Sequence, residues 1–246
     1  MRQKPEKSES DRFARLRLLI GDEGLAHLSR ARVAVVGLGG VGSWAAEALA
    51  RAGIGSLLLI DGDVVCLSNT NRQLHALEGN YGRPKAEVMA ERIQAINPAA
   101  LVVPRQVFVE EGNLEEVLPA GLSYLVDAID RLPAKAALLR HCVLKDIPVI
   151  SVMGAGNKLD PLAFRVDDIG RTHTCPLARA VRKALREAGI LEGIKVVYSV
   201  EPPSEPKEID PSSPPIPGSI SYLPPIAGLI AAGEVTRDLF GRSERI

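Results

Sequence analysis

Val33-Ala34-Val35-Val36-Gly37-Leu38-Gly39-Gly40-Val41-Gly42 decides the fold. The apolar run has the length and branching of a buried strand, the glycine-rich stretch turns the chain into a helix-like segment, and the acidic Asp61 ends the next apolar run. That order is a nucleotide-binding βαβ unit. Gly37, Gly39, Gly40 and Gly42 let the backbone turn tightly and approach phosphates, while free N–H groups and the positive helix end attract anionic oxygen. Asp61 is placed to accept hydrogen bonds from ribose hydroxyls. The pattern alone serves NAD, FAD and ATP equally, and it also suits a tight structural turn.

The following residues narrow the choice. Asp61-Gly62-Asp63-Val64-Val65 leads into Ser68-Asn69-Thr70-Asn71-Arg72-Gln73, and Lys85 comes soon after. Hydride transfer needs no such polar cluster. ATP-dependent acyl activation does, because a carboxylate attacking the α-phosphate meets a second anion, and cations must absorb the charge on the leaving pyrophosphate. Arg72 and Lys85 suit that task, although either alone reads equally well as a solvated surface charge.

Working outward, 246 residues with 46% apolar side chains suffice for one substantial α/β domain with a long C-terminal elaboration. Thirty basic and thirty acidic residues balance, so no global charge points to nucleic acid. Cys66, Cys142 and Cys175 show neither disulfide nor CxxC spacing, which fits a reducing cytoplasm. The polar N-terminus lacks a signal-peptide core and no apolar run reaches spanning length, so a soluble protein without a membrane segment is expected.

The alternation continues as a mostly parallel sheet with helices on both faces. Strands are expected at Ser56 to Ile60, Leu101 to Val109, Tyr124 to Asp127 and Pro148 to Val152, with helices at Pro84 to Ile96, Pro133 to Lys145 and Ile226 to Leu239. Asp130 falls just beyond a strand's carboxyl end, where open α/β sheets hold ligands, and Gly154-Ala155-Gly156 lets the backbone approach a substrate in the same way.

The segments GLGGVG, DGDVV, SNTNRQ, RPKA and VDAID resemble the ubiquitin-activating-enzyme-like family, whose Rossmann-like fold binds ATP and whose simpler members adenylate a sulfur-carrier protein. The resemblance implies Asp61 and Asp63 at the nucleotide, with Asn69, Arg72 and Lys85 on phosphates. It makes Asp130 the carboxylate for Mg²⁺, ahead of Asp127. An arginine before the sheet reaches a partner's ATP site in that family and matches best at Arg15, which implies a homodimer with shared sites. The plain reading of Arg12 to Leu19 is an amphipathic surface helix.

The C-terminal third separates branches. The two CxxC pairs of zinc-bearing members are missing. Cys175-Pro176-Leu177-Ala178-Arg179, Val196 to Pro202 and Gly218 to Gly228 are instead similar to the branch of tRNA threonylcarbamoyladenosine dehydratases, over Phe13 to Gly241. That implies ATP-dependent cyclisation of a modified adenosine beside the anticodon, with tRNA as partner. Arg179, Arg182, Lys183 and Arg186 could hold the anticodon arm or be an ordinary solvated helix face. Cys175 could carry a thioester, but cyclisation does not need one, and a lone cysteine is more often structural. Among the histidines only His75, near SNTNRQ, is placed to matter. Seven prolines between Pro202 and Pro217 exclude regular structure, leaving a lid or a linker. The expected organisation is an N-terminal helical arm over residues 1–30 and one adenylating domain over 31–246. Three functions compete: the RNA-modifying enzyme, an adenylating enzyme for a carrier protein with a sulfur-transfer partner, and an NAD-dependent oxidoreductase.

Overall fold

A computed structural model describes residues 11–205 and 217–241. The first ten residues, which bear on the signal-peptide reading, and residues 206–216 of the proline-rich segment lie outside the described residues. Seven strands form one sheet in the order β3-β2-β1-β4-β5-β7-β6, with β1 Arg32–Val36, β2 Ser56–Ile60, β3 Leu101–Arg105, β4 Tyr124–Asp127, β5 Val149–Val152, β6 Phe164–Asp168 and β7 Lys195–Ser199. All neighbours run parallel except β6, which pairs antiparallel with β7 at the edge. The connections diverge between β1 and β4, which opens a crevice at the strands' carboxyl ends.

A parallel sheet must bury both faces, and the alternation of side chains along each strand divides the core accordingly. Val33, Val35, Leu57 and Leu59 point to one face. There they meet α2 (Gly42–Arg51), α3 (Lys85–Ile96) and α7 (Leu223–Phe240), through Leu49, Met89, Ile93 and Val235, with Leu28 of α1 (Ala14–Arg30) on the same side. Ala34, Val36, Leu58 and Ile60 point to the other face, against α4 (Leu114–Val117), α5 (Leu132–Leu144) and α6 (Pro176–Glu187), through Val117, Leu138 and Val181. Burying each of the Val, Leu, Ile and Met side chains among these stabilises the fold by about 1.5–3 kcal/mol.

Where observed and expected elements differ, local chemistry gives the reason. Helix α7 begins at Leu223 rather than Ile226, because Pro224 and Pro225 occupy its first turn, where a missing N–H costs no hydrogen bond. It packs on the core, and a Cβ on Gly228 would lie 2.2 Å from the Val41 carbonyl oxygen, so α7 and the start of α2 touch backbone to side face. Strand β3 stops at Arg105, and the chain from Val107 to Val109 then runs along the crevice. Strands β6 and β7 fall where the sequence pattern predicts no element. Helix α1 breaks direction at Gly21, with φ +70°, and leaves Leu18 and Leu19 more than four-fifths exposed. No helix among the described residues is long and apolar enough to cross a membrane.

Candidate active site

The crevice is a cleft of about 710 Å³, and every site residue expected from sequence lines it except Gly42 and Arg15. Gly42 shapes the cleft from behind, since a Cβ there would sit 1.7 Å from the Gly37 carbonyl oxygen. Gly37 has φ +85° and lies so near the chain after β4 that a Cβ would be 2.8 Å from the Ala128 oxygen. These two glycines make the turn. Gly39 does something else: its missing Cβ would point into open space, with only the Gln73 amide at 3.8 Å, so phosphate-sized groups can reach the backbone there.

Asp61 fixes the loop as well as facing the cleft. The Leu38 N–H donates to one carboxylate oxygen at 2.6 Å and the Asp63 N–H to the other at 2.8 Å. Burial pushes the Asp61 pKa up, opposed by the Lys85 charge and these two donors. Each oxygen keeps a second lone pair for a ribose hydroxyl. Phe108, from the chain after β3, packs over Gly62 so closely that a Cβ there would meet its ring at 2.6 Å, and the Arg131 guanidinium lies 6.0 Å from the ring centre.

The cationic wall comes from the loop after β2 and the start of α3. Asn69 is buried and accepts the Cys66 N–H at 3.1 Å, which closes a short turn. Arg72 donates to the Ser68 carbonyl at 3.0 Å and to the Asn71 side chain at 2.9 Å, while its own carbonyl accepts the Trp44 indole N–H at 3.1 Å. Lys85 is buried, with its ammonium 2.9 Å from Asp63, so Asp63 serves as its counter-ion in this structure. Gln73, for which the sequence suggested no role, is buried at the cleft wall, and its side-chain oxygen has no partner among the described residues. Its position within SNTNRQ was the available signal.

The two aspartates after β4 part company. Asp127 is fully buried, paired with Lys135 at 2.8 Å, and accepts the Ser151 hydroxyl at 2.6 Å and the Ile129 N–H at 3.1 Å. Its oxygens are taken. Asp130 is exposed in the cleft and makes no ion pair among the described residues. No group of three His, Cys, Asp or Glu side chains that could hold a metal exists among the described residues.

The far end of the cleft holds residues that sequence motifs did not reveal. Asn157, at φ +58°, exchanges backbone hydrogen bonds with Ser204 and Gly218 and accepts the Gly218 N–H with its side chain at 2.6 Å, which ties down both stems of the proline-rich segment. Asn71 reaches over from the SNTNRQ loop to the Ser219 carbonyl at 2.9 Å. Lys158 is buried, and its ammonium donates to the Ser199 carbonyl at 3.1 Å. Cys175, also buried, precedes α6 at the cleft wall. The expected helix over the basic run exists: Arg179, Lys183 and Arg186 are exposed on α6 around a groove of about 350 Å³, and Arg182 is turned back to the Thr172 carbonyl at 2.7 Å. Arg15 is exposed on α1, outside its own chain's cleft.

Comparison with known proteins shows the family of the chain. The ThiF family pattern matches residues 12–245. The chain is 45% identical over 238 residues to the tRNA threonylcarbamoyladenosine dehydratase of Bacillus subtilis, covering 92% of this chain and 94% of that one. The crystal structure of the Escherichia coli tRNA N6-threonylcarbamoyladenosine dehydratase in complex with ATP superposes with a TM-score of 0.87 at 38% identity and 99% coverage of both chains. Its AMP complex gives 0.89, also at 38% identity, over the whole of both chains.

Proposed function

The chain belongs to the ThiF family, and from that premise we propose that it performs ATP-dependent dehydration of N6-threonylcarbamoyladenosine beside the anticodon of tRNA, closing the threonylcarbamoyl side chain into a ring. The observation that carries the reading is the cleft: a glycine loop open at Gly39, faced by Asp61, Arg72 and Lys85, in a chain similar along nearly its whole length to such dehydratases. The arrangement fits acyl activation and leaves the oxidoreductase reading without support.

The chemistry divides along the cleft. A threonyl carboxylate oxygen attacks the α-phosphate of ATP, pyrophosphate leaves, and the carboxyl carbon becomes an AMP ester. A nitrogen of the same side chain then bonds to that carbon, AMP departs with the former carboxylate oxygen, and a proton is released, so the nucleoside loses one water. The second step needs no enzyme nucleophile, because the attacking group is already tethered at high effective concentration. Asp61 orients the ribose, the N–H groups near Gly39 face phosphate oxygens, and Asn69, Arg72 and Lys85 offset the charge that gathers on pyrophosphate. Lys85 would then exchange part of its pairing with Asp63 for phosphate.

Asp130 suits Mg²⁺, since its exposed carboxylate is not committed to an ion pair among the described residues and a hard cation of this kind binds through one or two carboxylates plus substrate phosphates. Mg²⁺ held at Asp130 would offset phosphate charge. The same reading supplies Arg15 from the partner in a homodimer, in keeping with its exposure beside Leu18 and Leu19 on α1, ahead of the sheet. Helix α6 starts at the cleft rim, so its basic groups lie about 5–15 Å along the axis from the chemistry and can hold phosphates of the anticodon arm.

The test is direct. The protein is incubated with Mg²⁺-ATP and tRNA bearing threonylcarbamoyladenosine, digested gently, and its nucleosides weighed by mass spectrometry. ATP-dependent appearance of a nucleoside lighter by one water is expected; its absence, with the ring protected from hydrolysis, overturns the proposal.

A further inference from the structure

Three lysines are buried in and around the cleft, and two of them have anionic partners. Lys135 pairs with Asp127 at 2.8 Å and donates to the Ile129 and Val152 carbonyls at 2.9 Å each; Lys85 pairs with Asp63. Lys158 differs. It is 3% exposed, yet its ammonium, which has three donors, makes one hydrogen bond among the described residues, to the Ser199 carbonyl, and no ion pair. The nearby Glu201 is committed elsewhere, its carboxylate accepting the Leu159 and Asp160 N–H groups at 2.9–3.1 Å. A buried ammonium without an ion-pair partner is costly, and an anion entering the cleft beside it would offset that cost. Burial pushes the Lys158 pKa down, opposed by Cys175 and Glu201.

The sheet order says which anion. Lys158 follows β5 and rests on the end of β7, two and three strands beyond β1 and its glycine loop, or about 10–14 Å across the sheet. ATP phosphates already face Arg72 and Lys85 on the other side of the switch point. The remaining reactant is the side chain of the modified adenosine, whose carboxylate is small enough to enter a wall where the cation itself is almost wholly enclosed. Asn157 next to it holds the stems of the proline-rich segment, which fixes the backbone that carries Lys158.

We infer that Lys158 and the Ser199 carbonyl form an acceptor subsite in which the Lys158 ammonium binds the carboxylate of the threonylcarbamoyl group and presents it to ATP. The inference rests on the function proposed above.

The test is steady-state kinetics of the full chain with Mg²⁺-ATP and tRNA carrying threonylcarbamoyladenosine, comparing Lys158→Met, Lys158→Arg and Cys175→Ser with the wild type. Loss of one charge-assisted hydrogen bond should raise the tRNA KM in Lys158→Met by about ten- to a hundredfold, with the ATP KM within about twofold of normal. Lys158→Arg should recover part of the loss. Binding of tRNA with an unmodified adenosine at the target position should be unchanged in Lys158→Met; equal weakening of both tRNAs would assign the lysine to an RNA phosphate and overturn the inference. The same loss in Cys175→Ser would overturn it by making Lys158 a partner of the thiol. If Lys158→Met melts at much lower temperature, Lys158→Arg decides alone: it keeps the charge, and a tRNA KM raised in parallel with the ATP KM would mark a structural role and overturn the subsite. No product from the wild type overturns the dehydratase reading itself, whereas an active wild type with a normal tRNA KM in Lys158→Met overturns the subsite alone.

Discussion

The two ends of the cleft hold their polar groups in opposite ways. At the glycine-loop end, Asp61 is clamped by two backbone N–H groups, Lys85 by Asp63 and Arg72 by Ser68 and Asn71, so each charged group has partners within a few residues of chain or at the next strand end. At the β5–β7 end, Lys158 meets only a carbonyl among the described residues, and the surrounding frame ties Asn157 to Ser204 and Gly218, 47 and 61 residues away in sequence. The first end is organised before any ligand arrives, as suits a cosubstrate that every turnover shares. The second is under-satisfied, as suits a site completed by its substrate.

The comparison is most severely tested where the two ends meet, after β4. Asp130→Ala should reduce turnover by about a thousandfold or more while leaving the melting temperature within a few degrees, because it removes charge organisation at the phosphates and no packing. Asp127→Ala, three residues earlier, should instead cost about 3–5 kcal/mol of stability by stranding the buried Lys135 ammonium. Denaturant titration together with turnover assays separates the two. An active, folded Asp130→Ala protein would sink the metal assignment, and a normally stable Asp127→Ala protein would show that the buried pair is not what anchors the end of β4.

This contrast also explains what was legible in the sequence. The βαβ unit and its glycine loop were readable because their residues are contiguous and their spacing has a mechanical reason: Gly37 and Gly42 stand where a Cβ would strike backbone. Asp127 and Asp130 could be ranked but not explained, since the burial of Asp127 depends on Lys135 one helix turn into α5 and on Ser151 of β5. Strand β7 was hidden because Val196 to Ser199 is short and follows an irregular stretch, and β6 because its burial alternates weakly at an exposed edge. Lys158 was invisible for a plainer reason: a lysine beside Leu159 and Asp160 reads as surface, whereas in the fold it is buried against the carbonyl at the end of a strand 41 residues later.

A second test asks whether the glycine-loop end is complete within one chain. If Arg15 enters a partner's cleft, Arg15→Ala and Arg72→Ala proteins should each lose roughly a hundredfold in turnover, as expected for a cation facing a developing phosphate charge. In purified mixed dimers one site keeps both arginines and the other keeps neither, so activity should return to about half of the wild-type value per dimer. Recovery absent from verified mixed dimers would place Arg15 on the surface of its own chain and leave the first end self-contained.

The smallest effect concerns the dry backing of the same end. His75 is buried behind the SNTNRQ loop with neither ring nitrogen partnered among the described residues, and burial, followed by the nearby Lys85 charge, pushes its pKa down to about 4. The folded chain therefore keeps the imidazole neutral at pH 5, where the unfolded chain, with an ordinary histidine pKa of about 6.5, takes up a proton. The unfolded state binds more protons between those two values, so stability present at pH 7 is lost as the pH falls from about 6.5 toward 4, by roughly 2 kcal/mol at pH 5. His75→Gln removes this titration, and the raised carboxyl pKa of Asp61, which acts in the opposite sense at lower pH, is common to both proteins and cancels in their difference. Urea titrations at pH 7 and pH 5 should thus show the wild type losing about 2 kcal/mol relative to His75→Gln. A difference that stays constant with pH would mean that water or a proton reaches His75, and that the glycine-loop end is less closed than the contrast with Lys158 requires.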